Sequence, residues 1–272
     1  MPNKLPRPEA KPLIPASRVL VAVTNDIARE LRYAREYGLG AEIQIFGLPK
    51  TFASDHTALL ERVSREVEQL KGVIGCHGPF IDTIHYSTDP EIREVCRVRY
   101  LQAFDVAEAL GANYVLFHSQ YNPIIKVPIY PKIYHEESLK FWPEIIEEAE
   151  HRKISIYIEN MFDSSPDPMR KLADSLDSPR FQLCLDVAHA TIHSNLSIAQ
   201  WIEAYGPHLS HVHVNDCNGE LDDHLGLGQG KLDLQSAFAA LKKTKLPLTY
   251  ALETGKHTPA SLKYLGISRT GR

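Results

Sequence analysis

The chain has 272 residues, 43% of them hydrophobic and 24% charged, and its formal net charge is −4. This is an ordinary soluble composition with ample material for a sizeable core. Such a total gives no sign of a nucleic-acid binder, although a local basic patch would be hidden in the sum. No apolar run approaches the ~20 residues of a membrane span.

The first seventeen residues, "MPNKLPRPEAKPLIPAS", lack the apolar core of a signal peptide and carry five prolines. They read as a Pro-rich extended arm, residues 1–17, leaving 18–272 as a single domain. The four cysteines, Cys76, Cys96, Cys184 and Cys217, form no CxxC pair and suggest no disulfide framework. A reducing, cytoplasmic setting is expected.

Beyond the arm, strand-length apolar runs alternate with segments of helical period. "RVLVAVT" (18–24) precedes "DIARELRYAREYG", where Ile27, Leu31 and Ala34 share a face and a glycine stops the helix. "AEIQIFG" (41–47) precedes "DHTALLERVSREVEQLKG", with Asp55 as the expected N-cap. "GVIGCHG" (72–78) leads to the long segment opened by Asp89-Pro90 and stopped by Gly111. "NYVLFHS" (113–119) is followed by "EESLKFWPEIIEEAEHRK", and "ISIYIEN" (154–160) by "DPMRKLADSL". "FQLCLDV" (181–187), "LSHVHVN" (209–215) and "LTYALET" (248–254) complete eight strands, and a last short helix is expected near Pro259. Eight strand–helix units in about 250 residues predict a single α/β domain, a (β/α)8 TIM barrel. The alternative is an open doubly wound sheet, but "VAVTND" stands where that fold carries its glycine fingerprint.

Active sites of such barrels form at the C-terminal ends of the strands. Six consecutive strands here end in an imidazole or a carboxylate: His77, His118, Glu159, Asp186 with His189, His211 with His213 and Asp216, and Glu253. The loop after strand 7 adds Asp222, Asp223 and His224. A lone histidine at a strand end is commonly structural, and a lone aspartate before a helix is commonly an N-cap. Six in succession on one rim, with no Lys or Arg at these ends, call for a compensating cation, and a divalent metal supplies it. His211 and His213 share parity, so both can face the interior; His213 lies nearer the rim and is the better ligand. Cys184 shares the parity of Asp186 a layer deeper and reads as packing. In "HLGLGQG", the glycines suit a tight loop past the site better than a phosphate cradle, since no Walker ending follows.

The segments "CHGPF", "LFHS", "IEN", "CLDVAHA", "HVHVND", "DDHLGLGQG" and "LET" resemble the xylose-isomerase-like TIM barrels, a group that includes endonuclease IV and many sugar isomerases and epimerases. The resemblance runs from strand 3 to strand 8, about two-thirds of the chain. It implies a metal core of Glu159, Asp186, His213 and Glu253. In the isomerases the two catalytic glutamates, Glu159 and Glu253, pass a proton across the substrate, and one Mn, Mg or Co ion suffices. In endonuclease IV the set extends to His77, His118, His189, Asp222 and His224, and clustered zinc ions cleave a phosphodiester at abasic sites in DNA.

The loops favour the isomerase or epimerase. Those after strands 2 and 3 offer only Lys50, and the strand-4 loop is mostly apolar and aromatic. The endonuclease pattern has Pro-Gly where Ser119-Gln120 stand, and a tyrosine where Phe80 stands. The expected protein therefore acts in carbohydrate metabolism on a sugar-like polyol or keto substrate, with no membrane and with nucleic acid as the less favoured partner. Phe80 and Tyr121 are expected to contact substrate or form a lid, and the apolar strand-4 loop could alternatively join subunits of a homo-oligomer.

Overall fold

The computed structural model describes residues 12–270. The eight expected strands are all present: β1 (Val19–Val23), β2 (Gly40–Ile43), β3 (Ile74–His77), β4 (Tyr114–His118), β5 (Ser155–Glu159), β6 (Phe181–Asp186), β7 (Leu209–Val214) and β8 (Thr249–Leu252). Each pairs in parallel with its neighbours in chain order, and β1 pairs with β8, so the sheet closes into a barrel. The open doubly wound alternative is thereby excluded.

Ten helices connect or follow the strands among the described residues: α1 (Ile27–Tyr37), α2 (Pro49–Phe52), α3 (Thr57–Val67), α4 (Pro90–Ala109), α5 (Tyr130–Arg152), α6 (Asp167–Leu176), α7 (Val187–His193), α8 (Ile198–Tyr205), α9 (Leu234–Thr244) and α10 (Thr258–Tyr264). Their ends follow the expected chemistry. The Asp26 side chain accepts from Arg29 N, and Gly38 stops α1 in the left-handed region. Asp89 caps α4 ahead of Pro90. Ser197 and Gln200 form a reciprocal capping box on α8.

Several boundaries differ from the sequence reading. Strand β2 stops at Ile43 instead of continuing to 47, because Gln44 has a helical backbone (φ −104, ψ −17) and the following turn delivers Phe46 to the core. Helix α5 begins at Tyr130, six residues earlier than expected; Tyr130 and Tyr134 are buried, and their packing extends the helix past its charged segment. Asp55 lies one residue outside the N-cap of α3 but still accepts from Thr57 N at 3.0 Å.

The main apolar core lies between the barrel and its helices, and includes Trp142, Trp201, Phe104 and Phe117. The barrel interior is itself filled, with Leu20, Leu116, Cys184 and Ala251 around Tyr114. The proposed arm falls outside the described residues as far as residue 11. From residue 12 the chain packs on the barrel: Ile14 is buried, and Leu13 N donates to Leu265 O at 3.0 Å. All four cysteines are buried and unpaired.

Strand register positions the ligand-type residues. His118 is level with Glu159 across β4–β5, and Asp186 with His213 across β6–β7. These residues lie at the C-terminal ends of their strands, and alternation turns their side chains to the barrel interior there.

Candidate metal centre

A cavity of about 720 Å³ opens at the C-terminal end of the barrel. Its wall includes His77, His118, Glu159, His189, Asp222, His224 and Glu253. Asp186 and His213 are fully buried beside the cavity wall: their ligand atoms lie within 4.8 Å of one another and of Glu159. All nine residues named by the endonuclease-like pattern therefore converge.

Glu159 sits at the middle. Its Oε2 lies 3.5 Å from His77 Nε2, 3.5 Å from His118 Nε2 and 3.3 Å from His213 Nδ1, while Oε1 lies 3.2 Å from His189 Nδ1. His77, His118 and Glu159 form one group of converging ligand atoms, and Glu159, Asp186 and His213 another. Glu253 Oε2 is 3.4 Å from His213 Nδ1. Asp222 Oδ2 makes a third cluster, 3.3 Å from His189 Nε2 and 2.9 Å from His224 Nε2.

The far side of each ring fixes its tautomer. A carbonyl oxygen can only accept, so a ring nitrogen bonded to one carries the proton. His77 Nδ1 meets Gly78 O at 2.9 Å, His118 Nδ1 meets Phe80 O at 2.6 Å, His189 Nδ1 meets Asn160 O at 2.9 Å and His224 Nδ1 meets Glu253 O at 2.9 Å. His213 Nε2 faces the Glu42 carboxylate at 3.0 Å. All five imidazoles thus have one nitrogen engaged behind them and turn the other toward a carboxylate. Such outer hydrogen bonds are the usual means of orienting metal-binding histidines.

The residues present fit a divalent metal. Glu159 Oε2 and His213 Nδ1 are both buried without a hydrogen-bond partner, and they face each other. Lone pairs converging on a carboxylate repel unless a cation or proton lies between them. With protons as the only cations, burial opposes the charge on His213, but Glu159 and Glu253 raise its pKa well above the imidazole range. Burial likewise opposes ionisation of Glu159 and Glu253, yet His213 and the other imidazoles hold Glu159 well below the carboxylate range and Glu253 at about 2. Burial, reinforced by Glu159, Glu253 and Asp222, pushes Asp186 up to about 7 despite His189. The pocket is built for more positive charge than its side chains supply.

Several residues sit elsewhere than a ligand reading suggests. Asp216 makes no contact with the cluster. Its buried carboxylate accepts from the backbone N–H of Cys217, Gly228, Gly230 and Leu232, and so folds the loop that carries Asp222 and His224. A Cβ on Gly230 would fall 2.3 Å from Asp216 Oδ1, which accounts for that glycine. His211 lies below the centre, with Nε2 3.1 Å from Glu42 and Nδ1 2.6 Å from Thr249 Oγ1. Asp186 both faces the centre and caps α7 through His189 N. Asp223 turns to Asn218. Phe80 lines the cavity against His77, with ring centroids 4.4 Å apart. Tyr121 does not line it; its ring stacks on Tyr130 at 5.1 Å.

Sequence reasoning predicted strand β2 but missed what it and the residue after it bring to the site. Glu42 and Gln44 enter the barrel beneath the centre, both buried. Their signal was a charged and an amide residue two apart in an otherwise apolar run. It also missed Asn160, which exchanges hydrogen bonds with the Asp186 backbone (2.9 and 3.0 Å), and the buried Asp163.

The fold and site define a closed (β/α)8 barrel with a histidine–carboxylate centre at its C-terminal end. A family model described as xylose isomerase-like TIM barrel matches residues 31–266, and the chain belongs to that family. Among sequence relatives, the uncharacterized protein MJ1311 of Methanocaldococcus jannaschii is 26% identical over 174 residues, 61% of this chain and 59% of the relative. A probable endonuclease 4 of Mycobacterium leprae is 23% identical over 188 residues, 63% of this chain and 69% of the relative. The chain spans only about three-fifths of the first relatives' length. Among solved structures, the TTHB071 protein from Thermus thermophilus, soaked with ZnCl2, superposes with a TM-score of 0.74 at 27% identity, covering 91% of this chain and 96% of that one. A D-tagatose 3-epimerase-like protein gives a TM-score of 0.74 at 21% identity, covering 92% and 97%, which is a likeness of fold. No helix among the described residues is long and apolar enough to cross a membrane.

Proposed function

We propose that this protein is a divalent-metal-dependent enzyme that hydrolyses a phosphoester of a sugar-like alcohol at a centre of more than one ion. One observation carries the reading: His77 Nε2 and His118 Nε2, their protons held behind them by carbonyls, converge on the same Glu159 oxygen that faces His213. Glu159 would then serve both groups as a ligand, with both oxygens facing imidazoles, and would be a poor carrier of protons to a substrate carbon.

His77, His118 and Glu159 would hold one ion; Glu159, Asp186, His213 and Glu253 a second; His189, Asp222 and His224 a third. Bound there, divalent ions supply Lewis acidity, lower the pKa of water and neutralise phosphoryl oxygens. The chain's own residues define what enters. Phe80, Ile81 and Met161 form an apolar wall that limits water, and Arg29 and Lys256 are cations of the same lining. A cavity of this size suits a small ester or a single extruded nucleotide better than a duplex. The relative named a probable endonuclease 4 supports phosphoester chemistry.

A second reading is a single-metal isomerase or epimerase, in which Glu159 and Glu253 pass a proton across a ketose. It is favoured by the two carboxylates flanking His213 Nδ1 at 3.3 and 3.4 Å. The epimerase-like structural neighbour is consistent with it. Both readings take a sugar-like substrate.

Metal content per chain, measured on protein purified without chelators or a histidine tag, separates the two. Two or three zinc ions, with hydrolysis of bis(4-nitrophenyl) phosphate or of a phosphorylated sugar, support the hydrolase. One manganese, magnesium or cobalt ion, with solvent-deuterium exchange into a ketose and no hydrolysis, overturns it in favour of the isomerase.

A further inference from the structure

Beneath the centre lies a buried polar layer for which the reaction has no direct use. Glu42, on β2, is fully buried and spends both oxygens on neighbours. Its Oε1 accepts from Gln44 Nε2 at 2.8 Å and faces His213 Nε2 at 3.0 Å. Its Oε2 accepts from Tyr114 OH at 2.6 Å and lies 3.1 Å from both His211 Nε2 and His213 Nε2. Gln44 Nε2 reaches on to Glu253 Oε1. From one strand and the residue that follows it, then, two side chains grip two residues of the centre: His213 directly, and Glu253 through an amide.

The rest of the layer holds this grip in place. His211 is tethered on its other side by Thr249 Oγ1 at 2.6 Å. Tyr114 crosses the interior over Gly75, where a Cβ would lie 2.2 Å from its ring carbon Cζ and 2.4 Å from its hydroxyl. A side chain at position 75 would displace the ring that fixes Glu42.

We propose that Glu42, assisted by Gln44, is a positioning residue of the metal centre: it holds the His213 proton on Nε2, so that Nδ1 is presented as a ligand, and sets the rotamer of Glu253. The physical reason is strict. His213 is the one imidazole of the five whose rear partner is a carboxylate rather than a carbonyl, and a carboxylate is the stronger acceptor. Without it the proton has no reason to prefer Nε2, and Nδ1 would turn an N–H toward Glu159 and Glu253. Removing such outer hydrogen bonds typically costs about 10–100-fold in metal affinity.

The inference rests on the centre being a metal site and is independent of the reaction. Its test is zinc affinity of the full chain, by competition with a colorimetric chelator, together with the visible spectrum of the cobalt(II)-loaded protein. Glu42→Gln keeps the shape, loses the charge and replaces an acceptor with a donor. About a 10–100-fold weaker zinc affinity and altered cobalt bands, with an unchanged far-UV circular dichroism spectrum, are expected. Gln44→Met, which preserves volume and leaves Glu42 intact, should weaken zinc by a smaller factor and carries the test if Glu42→Gln does not fold. A fold-stabilising role alone would lower the melting temperature and leave the cobalt spectrum unmoved. Zinc affinities within twofold of wild type and identical spectra in both variants overturn the proposal while leaving the metal centre standing. A wild-type chain that takes up no divalent ion overturns the centre, and this proposal with it.

Discussion

Replacing Asp216 with alanine tests the claim that this residue builds the site without belonging to it. The carboxylate accepts from four backbone N–H groups; three of those bonds span more than ten residues of the loop, and the two shortest of these come from Gly228 at 3.0 Å and Gly230 at 2.9 Å. Hydrogen bonds to charged groups contribute about 1.5 kcal/mol each at the low end, so losing these two costs about 3 kcal/mol. For a chain of this size that is a fall of about 6 °C in the melting temperature. The loop carries Asp222 and His224, so the ions they help to hold should be lost first. Zinc content per chain should drop by about one ion, while the group at Glu159, Asp186 and His213 keeps its own. Thermal unfolding followed by circular dichroism, with elemental analysis of the same samples, reads both effects. Asp216→Asn, which keeps one acceptor oxygen, should fall between. If Asp216→Ala melted within about 1 °C of wild type, well inside the shift expected for a lost charged hydrogen bond, and held its full metal complement, the loop would not depend on this carboxylate and the reasoning would be wrong.

Asp163 is buried, and burial raises its pKa to about 6, against the pull of its hydrogen bonds from Ser119 Oγ and Met161 N. Between about pH 4 and 6 the folded chain keeps a proton that the unfolded chain has released, so stability falls as pH rises, by about 3 kcal/mol in total. Asp163→Asn should remove that decline and gain on wild type at neutral pH; urea midpoints that run parallel for the two proteins across this range would contradict it. Chelation should lower the melting temperature, since the ligand carboxylates then face each other with protons as their only cations. Returning zinc or manganese at a hundredfold excess over the dissociation constant should restore about 2.7 kcal/mol, or about 5 °C. A melt indifferent to both ions would argue against the centre.

Much of this architecture is written locally in the chain. The eight apolar runs, the Asp26, Asp89 and Ser197 caps and the Gly38 stop all act within a few residues, so the order of strands and helices could be read directly. Strand alternation and position are local as well: shared parity turns both His211 and His213 inward, and the two-residue step along β7 puts His211 a layer below, where its ring bonds to Glu42 and Thr249. The ligand types at the ends of β3 to β8 were legible because barrel geometry brings all strand ends to one rim.

Tertiary structure decided the rest. Which oxygen of Glu159 meets which imidazole depends on register between strands far apart in sequence, as in the pairing of Asp186 with His213. Glu42 and Gln44 looked like polar interruptions of a core strand; only barrel closure brings them to His211, His213 and Glu253, 169 to 209 positions further along the chain. Asp216 had the residue type and place of a ligand, but its oxygens were claimed by N–H groups of a returning loop. A sequence states which groups can coordinate or accept, because that is a property of each side chain. It does not state which competitor wins each lone pair, because distance decides that, and closure of the barrel sets the distances.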